Sequence, residues 1–227
     1  MDLFLDLANM TESNEFSKSK KGVLKFLKII GVDSRFISYT PEKIYINNLR
    51  FSKFSRKRED IFKKQFSDIE VVRNSLFQKI CSKSSKVLSD IEPNSVILIP
   101  KNNELMEIIL EPYTRKYGVK LVYSGGHDLI ANPLILDDEV NSIFSSIFKG
   151  EGINFGKKEG EIYPFINVSK KWINSFLEMD NKECINGSNG DELANSFMKF
   201  LEDVVPQYRE NVLKASEFIE EKLKIKQ

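Results

Sequence analysis

The run Ser124-Gly-Gly-His-Asp128 places a hydroxyl, two glycines, an imidazole and a carboxylate within five residues. Glycines just past the carboxyl end of a strand let backbone N–H groups approach a phosphate with no Cβ in the way. A plain tight turn uses the same letters more often. His127 is the only histidine, so any imidazole chemistry depends on it. Ser124, His127 and Asp128 are too close in sequence to take the separate roles of a hydrolase triad. Asp137-Asp138 offers paired hard oxygen ligands for magnesium, and capping of the helix that follows is the commoner use of such a pair. Cys81 and Cys184 are the only thiols, and they lie far apart. They exclude a four-cysteine zinc site and a Cys-x-x-Cys redox motif, and most thiols of this kind are simply buried.

A second chemistry is electrostatic. Lys43 to Lys64 holds eight basic residues against two acidic ones, Glu59 and Asp60. Phe51, Phe54, Phe62 and Phe66 are interleaved with Arg50, Lys53, Arg56, Lys57 and Arg58. Such a mixture can stack on bases while its cations contact phosphate. The alternative, a solvated helix whose phenylalanines point into the core, carries equal weight.

The elements that must position these groups follow from periodicity. Val23, Leu24, Phe26, Leu27 and Ile30 predict a helix stopped by Gly31. The β-branched and aromatic residues between Arg35 and Leu49, broken by Pro41, predict two short strands or a hairpin. A helix is expected from Val71 to Leu88. Ser95 to Ile99 reads as a strand buried on both faces, Leu105 to Pro112 as a helix and Val119 to Tyr123 as the next strand. Two strands joined by a helix are most readily parallel. Val140, Ile143, Phe144, Ile147 and Phe148 form one helical stripe, and Gly150 to Gly160 reads as a flexible loop. Two helices separated by Pro206 close the chain. The fold class is therefore α/β: a Rossmann-like, mainly parallel sheet over residues 1–165, then a helical region over 166–227. In such sheets ligands bind beyond the carboxyl ends of strands.

Composition sets limits on function. The 227 residues carry 34 Lys plus Arg and 33 Asp plus Glu, so no global field draws the protein to nucleic acid or anionic lipid. No apolar run approaches the roughly 20 residues of a membrane span, so no membrane partner is expected. Asp2 and Asp6 interrupt the amino-terminal apolar run where a secretory signal would carry basic residues, which points to the cytoplasm.

Taken in order, these pieces resemble a diverged member of the PP-loop ATPases that thiolate tRNA uridines. That group grips the pyrophosphate of ATP with a Ser-Gly-Gly-x-Asp-Ser loop. Here Phe16-Ser-Lys-Ser-Lys-Lys-Gly-Val-Leu-Lys-Phe-Leu27 stands in its place, with the following helix kept and both loop glycines missing. Lys79-Ile-Cys-Ser-Lys-Ser84 is similar to the family's first cysteine motif, and Lys182-Glu-Cys-Ile185 to its second. Gly126-His127-Asp128 and Asp137-Asp138-Glu139, with the helix behind them, resemble its Gly-His-Asn-x-Asp-Asp-Glu-Ala stretch. Glu161 to Ile166 and Phe200 to Arg209 resemble its later segments. In a competing alignment the intact Ser124-Gly-Gly-His-Asp128 is itself the nucleotide loop.

The resemblance implies ATP with magnesium held by Asp137 or Asp138, a nucleotide at Ser124, Gly125, Gly126, His127 and Asp128, and sulfur handled by Cys81 and Cys184. In that chemistry ATP adenylates the uridine carbonyl oxygen, and sulfur from a carrier displaces AMP. The family's zinc cysteines are absent, so no zinc is expected. Two cysteines are too few for an iron–sulfur cluster held by three. The missing loop glycines favour a non-catalytic partner subunit that binds tRNA beside a catalytic thiolation subunit and a sulfur carrier. An active synthetase and a nucleotide-binding protein without an RNA role are the alternatives.

Overall fold

The computed structural model describes residues 16–153, 157–185 and 190–224. Asp2 and Asp6, and the middle of the glycine-rich loop, lie outside the described residues. The chain divides into two compact units, the first built from residues up to Ser82 together with Ser89–Leu129, the second from Lys83–Leu88 and the residues from Ile130 on.

The first unit opens with α1, Lys20–Ile29, which buries Val23, Phe26 and Leu27 at helical spacing. Gly31 takes the left-handed conformation after it, with φ +76°. β1, Ile37–Tyr39, and β2, Lys43–Ile46, form the expected antiparallel hairpin, with Ile37 opposite Ile46. α2, Leu49–Ser52, and α3, Arg56–Gln65, follow. β3, Glu70–Val72, pairs parallel with β2, placing Ile44 opposite Val71. The expected helix from Val71 therefore starts later, as α4, Ser75–Leu88. Val71 and Val72 are β-branched and suit the sheet, and the Asn74 side chain accepts from the backbone of Leu76 and Phe77, which caps α4 at its real start. Phe26, Phe54, Phe62 and Phe66 gather in one core with Ile37, Ile44 and Ile46.

β4, Val96–Leu98, and β5, Lys120–Val122, are parallel with Val96 opposite Lys120, as the strand, helix, strand reading requires. Between them lie α5, Glu104–Leu110, and α6, Tyr113–Lys116. Of β4, Ile97 is buried, whereas Val96 and Leu98 are half-buried.

β6, Leu129–Ala131, begins where the first unit ends. In the second unit it pairs parallel with β7, Glu161–Ile162, through Ile130 and Glu161. α7, Leu136–Phe148, lies between them and packs on α9, Glu192–Val204, and α10, Tyr208–Lys224. α8, Lys170–Met179, precedes α9 and is capped by Ser169. Leu136, Val140, Ile143, Ala194, Met198 and Leu213 form this unit's core. Pro206 separates α9 from α10, as a residue without an amide proton should. The protein is thus of the α/β class with mainly parallel pairing, its strand, helix, strand units being of Rossmann-like kind.

Candidate functional site

The amino end of α1 is where the resemblance would put a nucleotide loop. It is filled by its own chain. Ser19 caps the helix, its Oγ accepting the Gly22 N–H at 3.3 Å. The Ser17 carbonyl lies so close to Gly22 that a Cβ there would stand 2.0 Å from its oxygen. Lys18 pairs with Asp68, and the Lys20 Nζ lies 2.8 Å from the Glu111 Oε1. Glu111 is buried, 7% exposed, and is matched on every side. It pairs with Arg115, whose Nη2 is 2.7 Å from Oε2, and accepts the Tyr39 N–H at 3.1 Å. Burial, and then the charge of Glu111, raise the Tyr39 phenol above its usual value. A cleft of about 510 Å³ lies here, lined by Lys20, Tyr39, Thr40, Glu107, Glu111 and Tyr123 among others. The sequence reading missed Glu111 and Arg115. Their i, i+4 spacing beside Pro112 was the available signal.

The Ser124 to Asp128 loop is exposed throughout. Gly125 has φ +96°, which only glycine adopts freely, and a Cβ on Gly125 or Gly126 would meet nothing. The His127 Nδ1 lies 3.0 Å from the Gly125 carbonyl oxygen. Asp128 is tied down: its carboxylate accepts the Val96 N–H at 2.7 Å, and its own N–H donates to the Val96 carbonyl at 2.8 Å. Val96 opens β4, so Asp128 sits at the amino end of that strand. Only Tyr123 and Ser124 follow directly on the carboxyl end of β5. The loop is therefore a passage from one edge of the strands to the other, because a strand parallel to β5 must start at the opposite end.

Asp137 and Asp138 face different surroundings. The Asp137 Oδ2 accepts the Lys170 N–H at 2.6 Å, at the first turn of α8, and its Oδ1 lies 2.8 Å from the Arg209 Nε. A metal there would have to displace Arg209. Asp138 has a buried Oδ1 without a hydrogen-bond partner. Burial raises its carboxyl above the ordinary value, opposed by Lys170 and helped by Asp137. It lines a polar cavity of about 580 Å³ with Asn141, Ser142, Ser145, Lys149 and Asp191. Among the described residues no group of three or more His, Cys, Asp or Glu is placed to hold a metal ion.

Cys81 belongs to the first unit and Cys184 to the second. Burial pushes the Cys81 thiol well up, against the pull of the Lys116 ammonium, so it keeps its proton near neutrality. Lys116 lies over the rings of Phe36 and Tyr113, 4.7 and 4.6 Å from their centroids. The Cys184 thiol, 3.6 Å from the Glu178 Oε1, is also raised, first by burial and then by that carboxylate. Neither thiol is set up as a ready thiolate.

The basic segment is sorted by α3. Phe54, Phe62 and Phe66 are fully buried, so they belong to the core and cannot stack on bases; Phe51 remains exposed beside Phe36, ring centroids 5.3 Å apart. Glu59, buried on α3, draws in Arg73 at 2.5 Å, Arg56 at 3.2 Å and Lys63 at 3.8 Å. Arg58 turns inward: its guanidinium donates to the Lys53 carbonyl and lies against Gly31. Arg50, Lys53, Arg56 and Lys57 remain on the exposed side.

An alignment of 94 positions, covering 38% of this chain, is 28% identical to a protein of Methanocaldococcus jannaschii named "Probable sulfurtransferase". The match spans 28% of that protein's length. No protein-family profile and no solved structure matches the chain. Among the described residues, no helix is long and apolar enough to cross a membrane.

Proposed function

We propose that the chain is a sulfur-transfer-related protein that binds tRNA as a non-catalytic partner of a thiolation enzyme. The observation that carries this reading is the amino end of α1. There Ser19, and the Ser17 carbonyl beneath Gly22, occupy the position where the resemblance puts the pyrophosphate of ATP. Amides at a helix start bind an anion only while they are free. The likeness to a protein named a sulfurtransferase supports the sulfur-transfer part, and the exposed cations Arg50, Lys53, Arg56 and Lys57 support the RNA part. A cytoplasmic location fits these partners.

One observation favours a second reading. The Ser124 to His127 turn is open, and its glycines leave room for a phosphate. On that reading a nucleotide binds at this turn of the first unit, its phosphates meeting the loop amides of Gly125 and Gly126.

Calorimetric titration with ATP and magnesium, with and without bulk tRNA, tests both. The partner reading expects tRNA binding with no pyrophosphate release. Micromolar ATP binding with pyrophosphate release in the presence of tRNA overturns it. Micromolar ATP binding that is lost on Gly125→Val, without any tRNA binding, establishes the second reading in place of the first. Deleting the gene and measuring thiolated nucleosides in bulk tRNA tests the pathway.

A further inference from the structure

Phe51 is the ring of the basic segment that the core leaves out, and it keeps 53% of its surface open although its backbone is held fast. The Asn48 side-chain oxygen accepts the Phe51 N–H at 3.0 Å, the Gln78 side-chain oxygen accepts the Leu49 N–H at 3.1 Å, and the Ser52 carbonyl accepts the Asp33 N–H at 2.9 Å. The last bond ties α2 to a single tight helical turn, Ser34–Phe36, on which α1, α2 and α6 all pack. Phe36 is half-buried there, its ring centroid 5.3 Å from that of Phe51 and the two planes 31° apart. An exposed ring on a fixed backbone loses little freedom when a flat partner covers it.

The charges around the two rings are mostly of one sign. The Lys116 Nζ lies 4.7 Å from the centroid of Phe36, and the Arg50 guanidinium 5.9 Å from that of Phe51. Lys116 makes no ion pair among the described residues, and burial holds its ammonium below the ordinary lysine value. Arg35 and Lys53, both exposed, flank Asp33, and Lys28 is exposed on the last turn of α1. The acids nearby are already engaged: Arg35 holds Asp33 at 2.8 Å, and Arg115 holds Glu111. Neither α1, α2, α6 nor residues 75–82 of α4 carry an acid. On α3, next along the chain, Glu59 holds Arg73, and exposed Asp60 stands among Arg56, Lys57 and Lys64. A cationic surface around an open ring suits a strand that offers both phosphates and a bare base face. A duplex offers the phosphates but keeps its base faces stacked inside, so the ring selects an unpaired nucleotide.

We propose that Phe51, backed by Phe36, stacks on an unpaired base of an RNA whose neighbouring phosphates meet Arg50 and Lys53. This rests on the RNA reading above and names the part of the RNA that the site takes. The probes are a labelled oligouridylate about eight nucleotides long, an RNA duplex with the same number of phosphates, an oligoglutamate of the same charge, and bulk tRNA. Binding is measured by fluorescence anisotropy on the full chain. Phe51→Leu, which keeps an apolar side chain without the ring, should weaken the oligouridylate by about tenfold or more, leave the duplex unchanged and leave the salt slope alone. Phe51→Trp should bind at least as well as the parent, and Arg50→Ala should flatten the salt slope by about one unit. These side chains are exposed, so the circular dichroism and melting of each variant should stay like the parent's. An oligouridylate that does not bind, binding unmoved by Phe51→Leu, a loss shared equally by the duplex, or oligoglutamate bound as tightly as the oligouridylate would each overturn the proposal. If bulk tRNA binds the parent and Phe51→Leu leaves the oligouridylate unmoved, the stacking site falls and the tRNA reading stands. If the oligouridylate binds through Phe51 but bulk tRNA does not bind, the tRNA reading falls and the stacking site stands.

Discussion

Arg209 of α10 holds Asp137 of α7 at 2.8 Å, Nε to Oδ1, while the other oxygen of Asp137 takes the Lys170 N–H that begins α8. One carboxylate thus ties three helices of the second unit. Asp137→Ala should cost about 2 kcal/mol, because it strands a half-buried guanidinium and removes a helix-start acceptor. Urea unfolding checks this. A loss under about 0.5 kcal/mol, the level of an ordinary surface change, would mean that the ties carry no weight.

Asp138, its neighbour, behaves oppositely. Burial raises its carboxyl above the ordinary aspartate value of 3.8, so the folded state binds its proton more readily than the unfolded chain does. The contribution of this group to stability is then fully present below 3.8 and is lost as pH rises through the folded value. Asp138→Asn does not titrate. Its stability relative to the parent should shift in the variant's favour between acid and pH about 7. A pH-independent difference between the two would show that Asp138 is not desolvated.

These two acids mark the limit of what the sequence could tell. The pair was legible as acids opening a helix, but their division of labour was not, since Arg209 lies far along the chain and reaches Asp137 only through the packing of α10 on α7. The strand, helix, strand unit from Val96 to Val122 was legible because its apolar runs are short and bounded by Pro and Gly. β3 was not, because three residues running into a helix give no alternation to count. β7, with two residues, gave still less. In the basic segment the four phenylalanines looked alike, and only the fold shows that three are core and one is surface.

Gly22→Ala tests the closed amino end of α1. Alanine is the better helix former by about 1 kcal/mol, so an open helix start would gain from the change. With the Ser17 carbonyl oxygen 2.0 Å from the new Cβ, the variant should instead lose more than about 1 kcal/mol, because the turn before the helix must move. A more stable variant in thermal melts would mean that this turn yields at no cost. The amides that open α1 would then be free to meet an anion.

Thiol labelling separates the two cysteines. Both are raised, so both should react with iodoacetamide more slowly than a free thiol near neutral pH. Cys81, the more strongly raised, should be the slower, and its rate should climb to that of Cys184 in urea. A Cys81 that labels first in the folded protein would contradict its packed setting and would revive its claim to sulfur chemistry.

The exposed and inward cations of the basic segment should part company on mutation. If Lys53, Arg56 and Lys57 meet phosphates, tRNA affinity should fall on the order of 10³-fold between about 50 and 200 mM salt for about six contacts in all. Changing these three to Ala should then flatten the salt slope by about one unit per lost contact. Glu59 keeps Arg73 at 2.5 Å when Arg56 is gone, so the triple variant should stay within about 0.5 kcal/mol of the parent. Arg58→Ala should do the reverse. Its guanidinium donates to the Lys53 carbonyl and packs on Gly31, so its loss should cost about 1 kcal/mol of stability. The salt slope should not change. Filter binding across a salt series, with urea unfolding of each variant, reads both effects. A triple variant with unchanged affinity and slope would make the face of α3 a solvated surface, and the RNA partner would then rest on resemblance alone.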